Sequence, residues 1–322
     1  MGEFELIERI KAQFKVPEGI TGIGDDCAVI PQKEGFETLF TTDLLIDGVH
    51  FILGKAAPFD LGWKSAAVNI SDIAAMGGRP VGTFLSIALP QGLESSWTDR
   101  FIEGFAALSE KFGCPLLGGD TSASKGGLCI NVGVIGECKA GCSKKRNMAE
   151  PGDLVCATGA LGDSATGLKL ILGSRPAGSE MEKYLIQRHY RPLPRVEAGL
   201  VLAAVPGVHA MMDISDGIGS DLRHILKASG VSAEIDVAAV PKSPQMLTVC
   251  EAEGWSADSL AICGGEDYEL LFTVAPEAFS GAESGLRKAG CECHRIGRIT
   301  AGEAGQIEWL GSETDFRGFT HF

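Results

Sequence analysis

Apolar residues recur at helical spacing most clearly in residues 60–80, DLGWKSAAVNISDIAAMGGRP. Trp63, Ala66, Ala67, Ile70, Ile73 and Ala74 fall at i, i+3, i+4, i+7 intervals and predict one buried helix face. Asp60 stands where an N-cap belongs, and Gly77, Gly78 and Pro80 end the pattern. Ser65, Asn69 and Asp72 form a second line, polar, on a helix made mostly of small residues. Alanines let backbones approach closely, and a carboxylate on such a helix is costly unless something pairs with it. A lone Asp ordinarily points to water, so the rest of the chain decides how Asp72 is read.

Phe4, Ile7, Ile10 and Phe14 share a side and predict an amphipathic helix over 3–14. Short apolar runs at 27–30, 38–41 and 83–89 predict strands. A helix over 97–112 carries Phe101, Ile102, Phe105 and Leu108, and strands follow near 115–117 and 128–135. The polar, turn-rich stretch 139–153 ends in Glu150-Pro151-Gly152-Asp153 and marks a domain boundary. Beyond it come a strand at 154–158, the Gly-rich loop GALGDSATG and a helix over 165–172. Helices flank His189-Tyr190-Arg191-Pro192-Leu193-Pro194, another spans 219–228, and strands near 233–237 and 268–274 precede a helix over 276–289. Strands and helices mix in both halves. The expected class is α/β or α+β, with mixed sheets flanked by helices, in two domains, 1–138 and 139–322.

Composition narrows the function. The 322 residues are 45% hydrophobic and 22% charged, enough for a real core. A net charge of −14 argues against a nucleic-acid or anionic-membrane surface, yet leaves room for a phosphate ligand if cations reverse the local sign. No run is long and apolar enough to span a bilayer, and MGEFELIERI has acids where a signal peptide needs a basic region, so a cytoplasmic protein is expected. The ten cysteines are scattered without zinc spacing, as reduced and mostly buried thiols would be.

Five stretches place Asp beside Gly or a small hydroxyl residue at the edge of an apolar run: Gly22-Ile23-Gly24-Asp25-Asp26, Thr41-Thr42-Asp43, Asn69-Ile70-Ser71-Asp72, Gly118-Gly119-Asp120-Thr121 and Asp213-Ile214-Ser215-Asp216-Gly217. One Asp-Gly turn is usually only a turn; five of one form suggest convergence. Two like charges 4 Å apart repel by about 4 kcal/mol at an effective dielectric of 20, so a cleft of carboxylates calls for cations. Oxygen donors without His or Cys favour Mg²⁺, which is commonly shared with substrate phosphates. GALGDSATG lacks the Lys-Ser/Thr of a phosphate-binding P-loop, though it can still offer N–H groups at a helix N-terminus.

With these residues in hand, the chain resembles the thiamine-monophosphate kinase family, of the superfamily that also holds aminoimidazole ribonucleotide synthetase. The resemblance covers almost the full length. It rests on GIGDDCAVI (22–30), TTDLLIDGVHF (41–51), KSAAVNISDIAAMGGRP (64–80), LLGGDT (116–121), PGD (151–153), RHYRPLPR (188–195), MDISDGIGSDL (212–222), GGEDYELLFT (264–273) and GFTHF (318–322), in order and at matching spacing.

That resemblance implies ATP-dependent phosphorylation of thiamine monophosphate to thiamine diphosphate. It also implies an N-terminal α/β domain that pairs across a homodimer, and a C-terminal α/β domain that completes the cleft. Asp26, Asp43, Asp72, Asp120 and Asp213 look like Mg²⁺ ligands, with Thr41, Thr42 and Asp216 assisting. Gly119, Asp120, Arg146 and Ser215 resemble nucleotide contacts, and His50, Glu266 and Phe319 contacts to the thiamine phosphate. Asp47 is left out, because relatives often carry another residue there. The acceptor is a phosphate monoester with a second pKa of about 6. It needs no general base, and no catalytic side chain is assigned. The rivals are another ATP-using enzyme of the superfamily and a non-catalytic nucleotide-binding scaffold. A selenophosphate synthetase would use a reactive Cys near the N-terminus, where Cys27 looks like core; a hydrogenase-maturation protein would end in Cys, where this chain has His321-Phe322.

Overall fold

The computed structural model describes residues 13–14, 33–173 and 177–318. The expected strand at 27–30, and the expected helix over 3–14 apart from its last two residues, lie outside them. The chain divides into two compact units, Met1–Ile73 with Gly78–Gly141, and Ala74–Gly77 with Cys142–Phe322.

Among its described residues, the first unit is a four-stranded mixed sheet with two helices. Strands β1 (Phe36–Ile46), β2 (Arg79–Pro90), β3 (Leu116–Ser124) and β4 (Cys129–Lys139) lie in the order β1-β4-β2-β3. Only β2 and β3 run parallel. Period-2 alternation sends Leu45, Leu85, Ile87, Ile130, Val132 and Val134 to a buried face. Helix α1 (Pro58–Ala75) lies against that sheet: a Cβ built on Gly136 of β4 would stand 2.6 Å from Ile73 Cγ2. Helix α2 (Ser95–Lys111) buries Phe101, Ile102, Phe105 and Leu108.

The two helices meet backbone to backbone. A Cβ on Gly62 of α1 would sit 1.9 Å from Phe101 O, and one on Gly104 of α2 would sit 1.9 Å from Phe59 O. Each glycine thus makes room for the other helix. Helix α1 begins two residues before Asp60, at Pro58, a residue suited to the first turn because it has no N–H to leave unpaired. Asp60 is therefore a first-turn acid and not the N-cap.

The second unit is a six-stranded sheet covered on both faces. Its strands are β5 (Leu154–Thr158), β6 (Val208–Asp213), β7 (Ser232–Asp236), β8 (Leu270–Val274), β9 (Cys293–Thr300) and β10 (Ile307–Leu310), ordered β10-β7-β9-β5-β8-β6. Alternation splits them between two cores. Val155, Ala157, Met212 and Leu271 enter one with helices α3 (Asp163–Leu172), α4 (Glu180–Tyr190), α6 (Ile218–Ser229), α7 (Pro244–Glu253) and α8 (Ala257–Cys263). Leu154, Cys156, Met211, Leu270 and Phe272 enter the other with α5 (Val196–Ala203) and α9 (Phe279–Lys288).

The apolar pattern does not mark helices α7 and α8 or strands β9 and β10. Strand β9 carries His294, Arg295 and Arg298 among its apolar positions, which hides the run although it lies between β7 and β5.

The glycine contact between α1 and α2 is testable. Gly104→Ala forces a methyl into a backbone carbonyl and should lower the unfolding free energy by about 3 kcal/mol, read from urea denaturation. Ala at the open position Gly92 is not a suitable control, because its φ of +86° strains any side chain there; Gly54, with open space and no such φ, is.

Candidate active site

In the first unit, three of the expected residues come together. Thr41 and Asp43 stand two apart on β1 and so share a face, the one toward α1. The Thr41 hydroxyl donates to Asp72 Oδ2 at 2.5 Å. Burial, and then the neighbouring Asp72 charge, push Asp43 up to about 6. Two carboxylates with a threonine hydroxyl are an oxygen-only donor set that repels itself, a set suited to a hard cation.

Alternation sends Thr42 the other way. Its hydroxyl accepts from Asn131 Nδ2 at 2.9 Å, and the same amide donates to Asp43 O at 3.1 Å. The ladder sets Leu44, Asn131, Ser86 and Asp120 in one row, next to the row Asp43, Val132, Leu85 and Gly119. Neighbouring rows face opposite ways, so Asp120, which is exposed, projects on the face away from Asp43 and α1. Gly119 has a structural reason to be glycine: a Cβ there would lie 1.8 Å from Leu85 O.

His50 sits in the turn after β1. Its Nδ1 accepts the Ile46 N–H at 3.0 Å, so a neutral ring carries its proton on Nε2. Asp47 belongs to that turn, where Oδ1 accepts the Leu53 N–H at 2.9 Å.

The second unit gathers its own acids. Asp213 ends β6, Ser215 and Asp216 follow, and α6 begins at Ile218. Asp221, in the first turn of α6, accepts the N–H of Ser215 at 3.0 Å and of Asp216 at 3.1 Å. Burial, then the charges of Asp213 and Asp216, hold its carboxyl well above the usual range. Asp221 was missed from sequence, although an acid in the first turn after SDG is a readable capping signal. Arg146 lies in a short turn whose carbonyl accepts the Ser229 hydroxyl at 2.9 Å. Burial lowers the His224 pKa, the Arg146 charge lowers it further, and Asp216 pulls it back up.

The Gly-rich loop GALGDSATG opens α3, and several of its N–H groups, those of Gly159, Leu161, Gly162, Ser164 and Thr166, are engaged within the protein. Asp267 accepts from Gly162 N at 2.6 Å and Ser164 N at 3.2 Å. Burial pushes Asp267 up to about 8 against the pull of those donors. Its neighbour Glu266 adopts a left-handed φ of 62°, and Tyr268 one of 52°. Asp26 and Phe319 lie outside the described residues. Among the described residues, no three His, Cys, Asp or Glu side chains stand together as a preformed metal cage.

The two units match the two domains of one class of protein. Residues 24–138 match the AIR synthase related protein N-terminal domain, and residues 150–310 its C-terminal domain. Thiamine-monophosphate kinase of Salmonella typhimurium is 39% identical over 328 residues, covering 100% of this chain and 98% of that protein. The Bacillus subtilis enzyme of the same name is 35% identical, with 100% of both chains covered. The crystal structure of thiamine-monophosphate kinase from Stenotrophomonas maltophilia superposes with a TM-score of 0.85 at 34% identity, covering 98% of each chain. AaThiL complexed with AMPPCP and TMP gives 0.82 at 35% identity, covering 100% of this chain and 97% of that one. Hydrogenase maturation protein HypE in complex with ATP shares the fold, with a TM-score of 0.74 at 19% identity, covering 94% of this chain and 88% of that one. The chain belongs to the thiamine-monophosphate kinase family.

The buried Asp267 carries a pH signature. An acid whose folded pKa lies near 8 binds its proton more tightly folded than unfolded, so its contribution to stability is lost as pH rises from about 4 toward 8. Asp267→Asn removes that titration. Its unfolding free energy, relative to wild type, should rise steadily between pH 5 and 8 in urea titrations; a constant difference would contradict the assignment.

Proposed function

We propose that this chain transfers a phosphoryl group from ATP to thiamine monophosphate, with Mg²⁺, giving thiamine diphosphate. The pairing of Asp43 with Asp72 carries the reading. A carboxyl lifted to about 6 by burial and by a second acid is a site whose charge a cation would stabilise. The full-length likeness to enzymes named thiamine-monophosphate kinase, and to a structure complexed with AMPPCP and TMP, supports these two substrates.

Asp43 and Asp72 would hold Mg²⁺ with Thr41, and Asp26, Thr42, Asp120, Asp213 and Asp216 are assigned to further metal contacts. Bound there, Mg²⁺ neutralises the approach of two anionic phosphates and the charge of the transferring group. The protein's residues position the partners. His50 offers Nε2–H to the acceptor phosphate, since Nδ1 is engaged by Ile46 N. Ser215 meets the nucleotide through its hydroxyl, because its N–H belongs to Asp221; Gly119, Asp120 and Arg146 are the other nucleotide contacts. Glu266 meets the cationic thiazolium or the aminopyrimidine, and Phe319 stacks on the ring system. The acceptor oxygen is already deprotonated near pH 7, so direct in-line transfer requires no basic side chain.

The reading includes a cytoplasmic homodimer. Among the described residues, no helix is long and apolar enough to cross a membrane. The outer face of the first sheet leaves Phe40 68%, Leu44 47% and Ile46 36% exposed. A row of large apolar side chains on one sheet face suits association with a second copy of the same surface.

Asp72→Asn should abolish conversion of ATP and thiamine monophosphate to thiamine diphosphate, while its melting temperature stays at or above that of wild type because a like-charge contact is gone. Added Mg²⁺ and ATP should raise the melting temperature of wild type more than that of the variant. An active or unfolded Asp72→Asn contradicts the metal role. Phe40→Glu places a charge in the proposed interface and should sediment as a monomer at micromolar concentration where wild type sediments as a dimer. Equal sedimentation contradicts that interface.

A further inference from the structure

Glu266 sits on a main chain that is fixed on both sides. Its N–H donates to Ser215 O at 2.8 Å, and Tyr268 N donates to Ile214 O at 3.0 Å. A Cβ on Gly265 would stand 2.2 Å from Ser215 O, so the segment 214–216 and the loop 264–268 are in backbone contact. Asp267 turns inward onto the start of α3, and Glu266, one residue earlier, keeps a side chain 27% exposed.

That carboxylate is reached from a third element. His189, in the last turn of α4, is nearly buried, and its Nδ1 lies 3.4 Å from Glu266 Oε2. The same nitrogen lies 3.1 Å from Ser164 Oγ. Ser164 in turn donates its backbone N–H to Asp267 Oδ1 at 3.2 Å. Glu266, Asp267, Ser164 and His189 therefore close a ring: the carboxylate of Glu266 is referred back to the neighbour of its own backbone through two helix ends. The His189 ring is steadied by an edge contact to Tyr190, with centroids 5.4 Å apart. The start of α4 is fixed by a reciprocal capping box between Ser179 and Glu182.

We propose that His189 is a positioning residue for the acceptor substrate: through Nδ1 it holds the Glu266 carboxylate in the one rotamer that meets a cationic, amino-bearing heterocycle. The inference rests on the reading that Glu266 contacts thiamine monophosphate. It assigns His189 no contact with the nucleotide and no proton transfer. A glutamate free to rotate loses side-chain entropy on binding; one already oriented does not.

His189→Leu keeps bulk without a polar atom. His189→Asn keeps a donor near the place of Nδ1. Both are compared with Glu266→Gln and with the double variant His189→Leu/Glu266→Gln, measuring kcat, the KM for each substrate and the melting temperature. His189→Leu should raise the KM for thiamine monophosphate about tenfold, the scale of one hydrogen bond to a charged group, and leave the KM for ATP within about twofold. His189→Asn should restore most of that loss. On a Glu266→Gln background the leucine should add less than about twofold, since residues acting through one another are not additive. Should His189→Leu fail to fold, His189→Phe keeps a ring of similar size without a polar atom and should raise the same KM alone. Equal losses for both substrates, no rescue by Asn, or additive effects with Glu266→Gln overturn the positioning role. A Glu266→Gln enzyme with unchanged KM for thiamine monophosphate instead removes the reading of Glu266 itself, whatever His189 does.

Discussion

A carboxylate with no exposed surface persists only if its oxygens are fully engaged, and Glu269 meets that condition. Arg195 donates to both oxygens, Nε to Oε2 at 2.7 Å and Nη2 to Oε1 at 2.5 Å. Arg188 adds a contact to Oε1 at 3.3 Å, and the Thr158 hydroxyl donates to Oε2 at 2.7 Å. These partners come from the end of β5 and from both ends of the RHYRPLPR segment, so one acid ties three distant stretches of the second unit together. Even the glycine at the head of the Gly-rich loop answers to it: a Cβ on Gly159 would lie 2.4 Å from Glu269 Oε1. Removing one member of such a buried set strands the others and costs about 3–5 kcal/mol. The loop that carries Glu266 and Asp267 runs directly into this anchor, and its two left-handed residues are tolerable because both ends are held.

The first unit solves a related problem differently. Thr41 donates its hydroxyl to Asp72, and burial together with the Asp72 charge raises the pKa of Asp43. Glu269 is thus matched by arginines, whereas Asp43 stands beside a second acid and is raised by it.

Much of the fold could be read from period and punctuation. The α1 stripe and the strand at 154–158 both follow from local pattern. The site was less legible, for reasons that can be named. Thr41-Thr42-Asp43 reads as one cluster when the strand is taken to stop at 41; β1 runs to Ile46, and alternation then parts Thr42 from its neighbours. The same rule parts Asp120 from Asp43, but only the register of β3 against β2 reveals it. The Gly-rich loop looked open because its occupant, Asp267, is about a hundred residues away in sequence, beyond any local signal. The helices α7 and α8 escaped because short helices leave few turns in which a period can appear.

The paired glycines of α1 and α2 act as a bearing with a lever attached. Ten residues separate Gly62 from Asp72, about 15 Å along the helix axis. A tilt of about 4° pivoting at the glycine contact would carry the Asp72 carboxylate by about 1 Å over that arm. Displacements of that size cost about a hundredfold in rate when they reach reacting groups. The placement of Asp72 is therefore shared between the seat of Ile73 against β4 beside it and, at the other end of the helix, two residues that have no side chain at all.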